Sequence, residues 1–287
     1  MTGTPHRTRH AVTPPPSRKR PAGETIPGGH RGSGARSHDN GGHMNRLTDY
    51  GRSLARSRAA RLHADRRNTF TLAGREWDLL DEVFAPPFSV SSGIALELLG
   101  LGGTPGTSGT PETSGPGSFL EVGCGTGIIA VSAALAGCER VTALDISEPA
   151  VRNTVMNAER HGVADRLTVV HSDLFENVPA GRKFDTVYWH SNLVLAPPEY
   201  RHKTIHERAY VDPGYRDHRR FLADAPSFLT ENGRILLHFS NRGNTARLNA
   251  IAAENGREVR ELRSLRVHEG DDLVEHVLLE ISVAEPS

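Results

Sequence analysis

One segment constrains the fold of this chain more than any other: FLEVGCGTGIIAVSAALAG, residues 119–137. It opens with apolar residues, passes through three glycines in five positions and closes with an uninterrupted helix-compatible run over 128–136. A short apolar run that ends in glycines indicates a strand and a tight turn, and the longer run after them indicates a helix. The segment therefore predicts a strand, a turn and a helix, with the backbone of the turn open to a ligand.

Strands and helices alternate along the rest of the chain. The predicted strands are residues 141–146, 166–174, 183–190 and 233–240, and the predicted helices lie near 149–161, 216–229 and 244–255. Such alternation is typical of an α/β fold, a parallel sheet with helices on both faces. Two apolar runs that flank Gly270 predict a closing antiparallel hairpin.

Composition divides the chain into four regions. Residues 1–43 consist largely of Pro, Gly, Ser, Thr, Arg and His, too polar to offset the entropy of ordering, and are predicted to be a disordered basic tail. The tail is interpreted as a solvated extension, as a nucleic-acid arm, or as the result of a start codon placed too early, with Met44 as the true first residue. Residues 44–101 are predicted to be an N-terminal helical segment, residues 102–117 a flexible loop, and residues 118–287 the ligand-binding domain.

The N-terminal segment is predicted to begin with an amphipathic helix over residues 45–68. Six arginines surround its polar side: Arg52, Arg56, Arg58, Arg61, Arg66 and Arg67. This basic face is either solvated or a contact for RNA, an acidic protein or a phosphate group.

Composition excludes several function classes. Thirty-four basic residues balance 34 acidic ones, so the net charge argues neither for nor against a polyanionic partner. Two cysteines cannot build a disulfide framework, and no run of 18 apolar residues or apolar signal segment is present, which predicts a cytoplasmic protein. His202 and His206 are four residues apart without a third ligand, so no metal is predicted.

The spacing of the glycines discriminates between two ligand classes. Gly123, Gly125 and Gly127 form a GxGxG pattern, whereas a dinucleotide fingerprint requires a further glycine where this chain has Ile128. Glu121 ends the preceding strand, and its carboxylate would repel a pyrophosphate but attract an ammonium group. The pattern favours S-adenosylmethionine over NAD, and an NAD-dependent oxidoreductase is a distant alternative.

Two further acids follow later strands. Asp145 ends the next strand and is placed to accept hydrogen bonds from both ribose hydroxyls of an adenosine. Asp173 follows the strand after that and is similarly placed for the adenine edge. Each acid alone is equally consistent with an ordinary solvated strand end, but their order with the glycines favours a cofactor site.

The chain resembles the class I S-adenosylmethionine-dependent methyltransferases. The resemblance rests on EVGCGTG, ALDIS, HSDL, FDTVYWHSN and LTENGRILLHFS, and covers about residues 75–285. It implies a seven-stranded, mostly parallel Rossmann-like sandwich and S-adenosylmethionine as the cofactor of residues 118–287. Within this family the chain is most similar to the glutamine side-chain amide methyltransferases that act on release factors, and to related small-domain methyltransferases.

This chain departs from that subfamily at the fourth strand. There the family has Asn-Pro-Pro-Tyr, whose Asn holds a planar nitrogen, and this chain has His190, Ser191, Asn192 and Leu193. We predict that His190 is a base or hydrogen-bonding group for the methyl acceptor and that Asn192 orients it. Trp189 is predicted to supply an aromatic wall, although a core position is the commoner role for such a residue.

Weaker candidates lie outside the fourth strand. Asp212 and Tyr215 are placed in the segment that covers the acceptor in the resembled families, and an ordinary turn is an equally good interpretation. Ser91 and Ser92 fall where related enzymes place a loop over the cofactor. The predicted acceptor is a nitrogen or oxygen of a protein side chain or small metabolite, with RNA methylation or non-catalytic cofactor binding as alternatives.

Overall fold

The computed structural model describes residues 47–102, 117–191 and 193–284, all of which belong to the unit Asp39–Ser287. The predicted disordered tail, most of the predicted loop over 102–117 and the candidate Asn192 lie outside these residues.

The N-terminal part combines helices with a small hairpin. Its elements are α1 (Tyr50–Arg61), β1 (Thr69–Leu72), β2 (Arg75–Asp78), a 3₁₀ turn (Pro86–Phe88) and α2 (Ser91–Leu98). Asp49 caps α1, because its carboxylate accepts hydrogen bonds from the backbone N–H groups of Gly51 and Arg52. The helix predicted over 45–68 is therefore shorter, and the hairpin after it was not predicted.

The remaining elements alternate as the sequence predicts. They are β3 (Ser118–Val122), α3 (Ile128–Leu135), β4 (Arg140–Asp145), α4 (Glu148–Arg160), β5 (Leu167–His171), β6 (Phe184–His190), β7 (Val194–Ala196), β8 (Val211–Pro213), α5 (Arg216–Asp224), β9 (Leu229–Ser240), α6 (Thr245–Glu254), β10 (Arg257–Glu269) and β11 (Asp272–Val283). Short 3₁₀ turns lie at Ala164–Arg166, Ile205–Ala209 and Ala225–Phe228.

Seven strands form the central sheet in the order β10-β11-β9-β6-β3-β4-β5. Strands β9, β6, β3, β4 and β5 pair in parallel, and β10 and β11 close one edge as an antiparallel hairpin. The predicted seven-stranded, mostly parallel architecture is confirmed. Strands β7 and β8 form a separate parallel pair beside it.

Both faces of the sheet are covered. Successive residues of β3 belong to hydrophobic cores on opposite faces of the sheet. Phe119 packs with α2 and α3 on one face, and Leu120 packs with α5 and α6 on the other. In β6, Tyr188 packs on the same face as Phe119, and Trp189 packs on the same face as Leu120. This period of two follows from the pleat and accounts for the nearly continuous apolar sequence of these strands.

Two buried asparagines of α4 hold the N-terminal hairpin against the sheet domain. Asn157 Oδ1 accepts a hydrogen bond from the Asp78 N–H at 2.7 Å, and Asn153 Oδ1 accepts one from the Leu80 N–H at 2.8 Å. Trp77, fully buried, joins the core on the same face as α3. The N-terminal part is thereby fixed next to the turn that follows β3.

In the part of the chain that the structure describes, no helix has the length and apolar character needed to cross a bilayer.

Candidate functional site

A cavity of about 350 Å³ opens at the carboxyl ends of the parallel strands. Residues that follow β3, β4, β5, β6 and β9 line it, and α1 and the start of α2 contribute further walls. Its size falls within the range of small-molecule sites, and the carboxyl edge is where open α/β sheets bind ligands. Ser91 and Ser92, which the resemblance places near a loop over the cofactor, are among the lining residues.

The glycine turn forms one wall of this cavity. Gly123 and Gly125 line it, and a Cβ added at Gly125 would meet no atom within 4 Å. Gly127 instead begins α3 with a left-handed φ of +80°, and its N–H donates to the Cys124 carbonyl at 2.7 Å. Thr154 of α4 braces the turn by donating its hydroxyl to the Gly125 carbonyl. The open space above Gly125 leaves room for a ligand against bare backbone.

Glu121 lies at the end of β3, lines the cavity and is 2% exposed. Its Oε2 accepts a hydrogen bond from the Ala130 N–H of α3 at 2.8 Å. Burial raises the pKa of Glu121 well above its usual range, against the effect of that hydrogen bond, and the nearby Asp145 adds to the rise. A cation placed beside Glu121 would favour the charged form and offset this burial.

Asp145 lies at the end of the neighbouring strand β4. Its two carboxylate oxygens accept hydrogen bonds from the backbone N–H groups of Gly125 at 2.8 Å and Ser147 at 2.9 Å. Burial raises the pKa of Asp145, although these hydrogen bonds oppose the rise. The carboxylate therefore connects the glycine turn to β4 at the wall of the cavity.

Asp173 also lines the cavity but is held by arginines. Its Oδ1 lies 2.9 Å from Arg220 Nη1 and 3.8 Å from Arg208 Nη2. The structure thus brings together five of the six predicted cofactor residues at the cavity wall, while Gly127 lies behind the turn. Their roles toward a cofactor stay predictions.

The predicted acceptor residues lie on the adjoining wall. Trp189 and His190 line the cavity at the end of β6. The His190 ring stacks on the ring of His238, with centroids 4.2 Å apart and an angle of 8° between the planes. Burial, together with nearby His276, lowers the pKa of His190 to about 3, so its imidazole is neutral at physiological pH. The second catalytic candidate, Asn192, lies outside the described residues.

Three histidines around this wall are held neutral by burial. Burial lowers the pKa of His206 to about 4, with Arg66 contributing, and lowers that of His238 well below its usual range, with His190 and His276 contributing. Because an unfolded histidine takes up a proton near pH 6.5, the unfolded chain binds more protons below that pH than the folded chain.

We expect the free energy of unfolding to fall as the pH is lowered through 6.5 toward 4. Each of the three histidines, His190, His206 and His238, contributes about 1.4 kcal/mol per pH unit in this range. Urea unfolding at about pH 7.5 and about pH 5.5 measures the loss. His206→Asn should reduce the proton uptake on unfolding by about one. An unchanged proton uptake in this variant would contradict the burial of a neutral imidazole at His206.

Asp212 and Tyr215, the weaker substrate candidates, are fully buried and absent from the cavity wall. The Tyr215 hydroxyl accepts a hydrogen bond from the Asn244 N–H at 2.7 Å. Asp212 Oδ2 lies 2.7 Å from His218 Nδ1, and His218 Nε2 lies 3.2 Å from Ser191 Oγ. This buried triad supports the loop after β6, and contact of Asp212 or Tyr215 with a substrate stays a prediction.

Three arginines that line the cavity were missed as site residues: Arg56, Arg208 and Arg242. Arg56 of α1 lines the cavity, although the sequence placed it in a basic face without a specific role. Arg242, two residues beyond β9, also lines it and is ion-paired with Glu269 at 2.6 Å. Sequence periodicity does not show which arginine of a basic helix faces a cavity, because that depends on how the helix docks.

Comparison with known proteins agrees with this geometry. A family model described as a methyltransferase domain matches residues 119–211. A bifunctional methyltransferase of Rickettsia felis is 33% identical over 130 residues, which are 42% of this chain and 24% of the relative. A ribosomal protein uL3 glutamine methyltransferase of Bordetella pertussis is 32% identical over 129 residues, 42% of this chain and 43% of the relative. The chain thus spans less than half the length of these curated relatives.

A solved structure shares the fold. The T. thermophilus 16S rRNA N2 G1207 methyltransferase superposes with a TM-score of 0.52 at 18% identity, over 77% of this chain and 50% of that chain. The matched family segment begins in β3 and ends at the start of β8, so it includes the glycine turn, Asp145 and the end of β6. Residues 119–211 of the chain therefore match a methyltransferase domain, and the sheet around them has the fold of a solved methyltransferase.

Proposed function

We propose that this protein transfers a methyl group from S-adenosylmethionine to a nitrogen or oxygen of a protein side chain or small metabolite. The observation that carries the proposal is the juxtaposition, at one cavity wall, of an open glycine turn with the carboxylates of Glu121 and Asp145. A carboxylate beside bare backbone matches a ligand with an ammonium group and a ribose better than it matches a pyrophosphate.

The residues present fit this cofactor. In the proposal Gly123 and Gly125 give it close backbone contact, Glu121 faces its ammonium group, Asp145 accepts from its ribose hydroxyls and Asp173 lies at its adenine edge. When bound, S-adenosylmethionine supplies an electrophilic methyl group on its sulfonium. Most of the acceleration then comes from alignment of the acceptor with that methyl, an effect of roughly 7 to 11 kcal/mol for well-held reactants.

His190 and Asn192 are proposed to hold the acceptor. Neutral His190 is suited to accept a hydrogen bond from the attacking group, because its pKa of about 3 leaves the imidazole unprotonated. A general base works best when its pKa lies near the operating pH, so hydrogen bonding to the acceptor is the proposed role of His190 rather than removal of its proton. Trp189, beside it, is proposed as an aromatic wall, and Asp212 and Tyr215 are retained as weaker substrate candidates.

The named relatives favour a macromolecular acceptor without fixing it. The Bordetella pertussis relative is named for a ribosomal protein glutamine, and the T. thermophilus structure for a guanosine of 16S rRNA. A protein nitrogen is preferred here because the curated relative is 32% identical, against 18% for the RNA enzyme. The proposed location is cytoplasmic, which accords with a chain of only two cysteines, Cys124 and Cys138.

Calorimetry with S-adenosylhomocysteine tests the cofactor. We expect wild type to bind it and Gly125→Arg to weaken binding at least about thirtyfold, equivalent to about 2 kcal/mol, because the side chain fills the open space above the turn. Gly125→Ala is the matched control, since it carries the same left-handed backbone strain, φ +55°, with a much smaller side chain. Unaltered binding by Gly125→Arg, or no binding by wild type, would refute the proposal.

Labelled cofactor distinguishes the acceptor classes. Incubation of the protein with methyl-labelled S-adenosylmethionine and cell extract should label a protein or a small metabolite. Label in RNA would favour the RNA alternative, whose binding should weaken steeply with salt. Tight cofactor binding with no labelled product would favour a non-catalytic cofactor-binding protein.

A further inference from the structure

We propose that the methyl acceptor carries a carboxylate, which binds to the guanidinium groups of Arg56 and Arg242 at the end of the cavity away from the cofactor acids. The inference rests on the proposed methyltransferase function and adds the chemical class of its substrate.

The order of the sheet separates the two ends of the cavity. Glu121 and Asp145 follow β3 and β4, whereas Arg242 follows β9, and β6 with His190 lies between them. Glu269, at the end of β10, lines the cavity on the same side as Arg242. An acceptor held next to His190 therefore has the cofactor acids on one side and the arginines on the other.

Arg56 supplies a positive charge without a protein counter-ion. Arg56 Nη2 donates a hydrogen bond to the Ser53 hydroxyl at 3.3 Å, and among the described residues no carboxylate forms an ion pair with Arg56. Burial and the neighbouring Arg242 lower the pKa of Arg56 to about 10, so the group is still protonated at neutral pH. Arg56 is half-buried, and a cation partly withdrawn from water is stabilised when an anion joins it.

The nearby carboxylate of Glu269 already has two partners. Its Oε2 accepts from Arg242 Nη1 at 2.6 Å and its Oε1 lies 3.0 Å from His276 Nε2. The guanidinium groups of Arg56 and Arg242 carry two positive charges, and the carboxylate of Glu269 neutralises one of them, so one positive charge remains. One monoanion neutralises this charge, which favours a carboxylate over a phosphate dianion.

The other acids of the cavity wall have their own partners. Glu82 pairs with Arg61 at 3.3 Å, and Asp217 pairs with Arg208 at 3.3 Å. Asp173 pairs with Arg220, and Asp145 accepts from backbone N–H groups. None of these acids forms an ion pair with Arg56, so within the described residues the excess positive charge is confined to the end with Arg56 and Arg242.

Calorimetry with three benzene derivatives tests this assignment on the full-length protein saturated with S-adenosylhomocysteine. The probes are benzoate, its uncharged counterpart benzamide and phenyl phosphate. We expect benzoate to bind at least about tenfold more tightly than benzamide, because a charge-assisted hydrogen bond replaces a neutral one. Arg56→Gln should abolish this preference. Arg56 is chosen because its substitution leaves the buried pair of Arg242 and Glu269 intact.

The control is Arg58→Gln, which removes an exposed arginine from the same helix and should retain the preference. Equal binding of benzoate and benzamide by wild type, or a preference that survives in Arg56→Gln, would overturn the proposal. Tighter binding of phenyl phosphate than of benzoate would overturn the choice of carboxylate. Failure of the methyltransferase proposal is seen separately, as no binding of S-adenosylhomocysteine before any probe is added.

Discussion

Gly127→Ala is expected to lower the free energy of unfolding by about 2 to 5 kcal/mol and to abolish binding of S-adenosylhomocysteine at temperatures where wild type binds it. Two effects add. Gly127 has φ +80°, a left-handed conformation that costs an alanine about 1 to 2 kcal/mol. The added Cβ would also lie 2.8 Å from Thr154 Cγ2 and 3.0 Å from Thr154 Cα, so α3 and α4 would have to separate.

Gly181→Ala separates these two effects. Gly181 has nearly the same backbone angle, φ +79°, but a Cβ there would meet no atom within 4 Å. The control should therefore lose only the conformational part, about 1 to 2 kcal/mol, and keep ligand binding. Chemical denaturation of both variants measures the difference. Equal destabilisation of the two would show that the close contact with Thr154 carries no energy.

Asp212→Ala is expected to destabilise the protein by about 3 to 5 kcal/mol. The carboxylate of Asp212 is fully buried and accepts from the His218 ring at 2.7 Å and from the backbone N–H groups of His218 at 3.0 Å and Asp217 at 3.2 Å. Alanine would leave these donors unsatisfied in the core. Since His218 also contacts Ser191, the loop after β6 should lose its support and the KM for the acceptor should rise.

The same carboxylate gives a dependence on pH. Burial alone would raise the pKa of Asp212, but the hydrogen bonds and charge of His218 outweigh it and hold the pKa below 3.8. The stabilisation by Asp212 is therefore present above pH 3.8 and is lost as the pH falls below that value. Urea unfolding near neutral pH compares the variants, with the exposed Asp224→Ala as the control. Asp224→Ala should change stability by less than about 0.5 kcal/mol. A loss of similar size for Asp212→Ala would contradict the structural role of the triad.

The sequence was sufficient to predict the elements whose conformation depends on neighbouring residues. The turn could be predicted from Gly123, Gly125 and Gly127, because few other residues tolerate a left-handed backbone. The apolar runs before and after the turn form β3 and α3 as predicted. The order of the acids after the strands predicted a shared edge, and Glu121 and Asp145 do line one cavity. The segment that matches a methyltransferase domain, residues 119–211, contains these same residues.

The N-terminal part shows where local pattern failed. Residues 69–78 form a hairpin whose strands have only four residues each, too short for a clear alternation. Its position depends on Asn153 and Asn157, which are more than 70 residues away along the chain. A contact of this separation leaves no periodic signal in either segment.

The sequence by itself determined the parallel sheet, the glycine turn and the acids at the ends of β3 and β4, because backbone conformation and strand ends depend on neighbouring residues. Only the tertiary structure decided that Arg56 faces the cavity beside Arg242, that His190 stacks on His238, and that Asp212 supports Ser191 through His218. The physical reason is that burial, pKa and ion pairing depend on which distant side chains pack together.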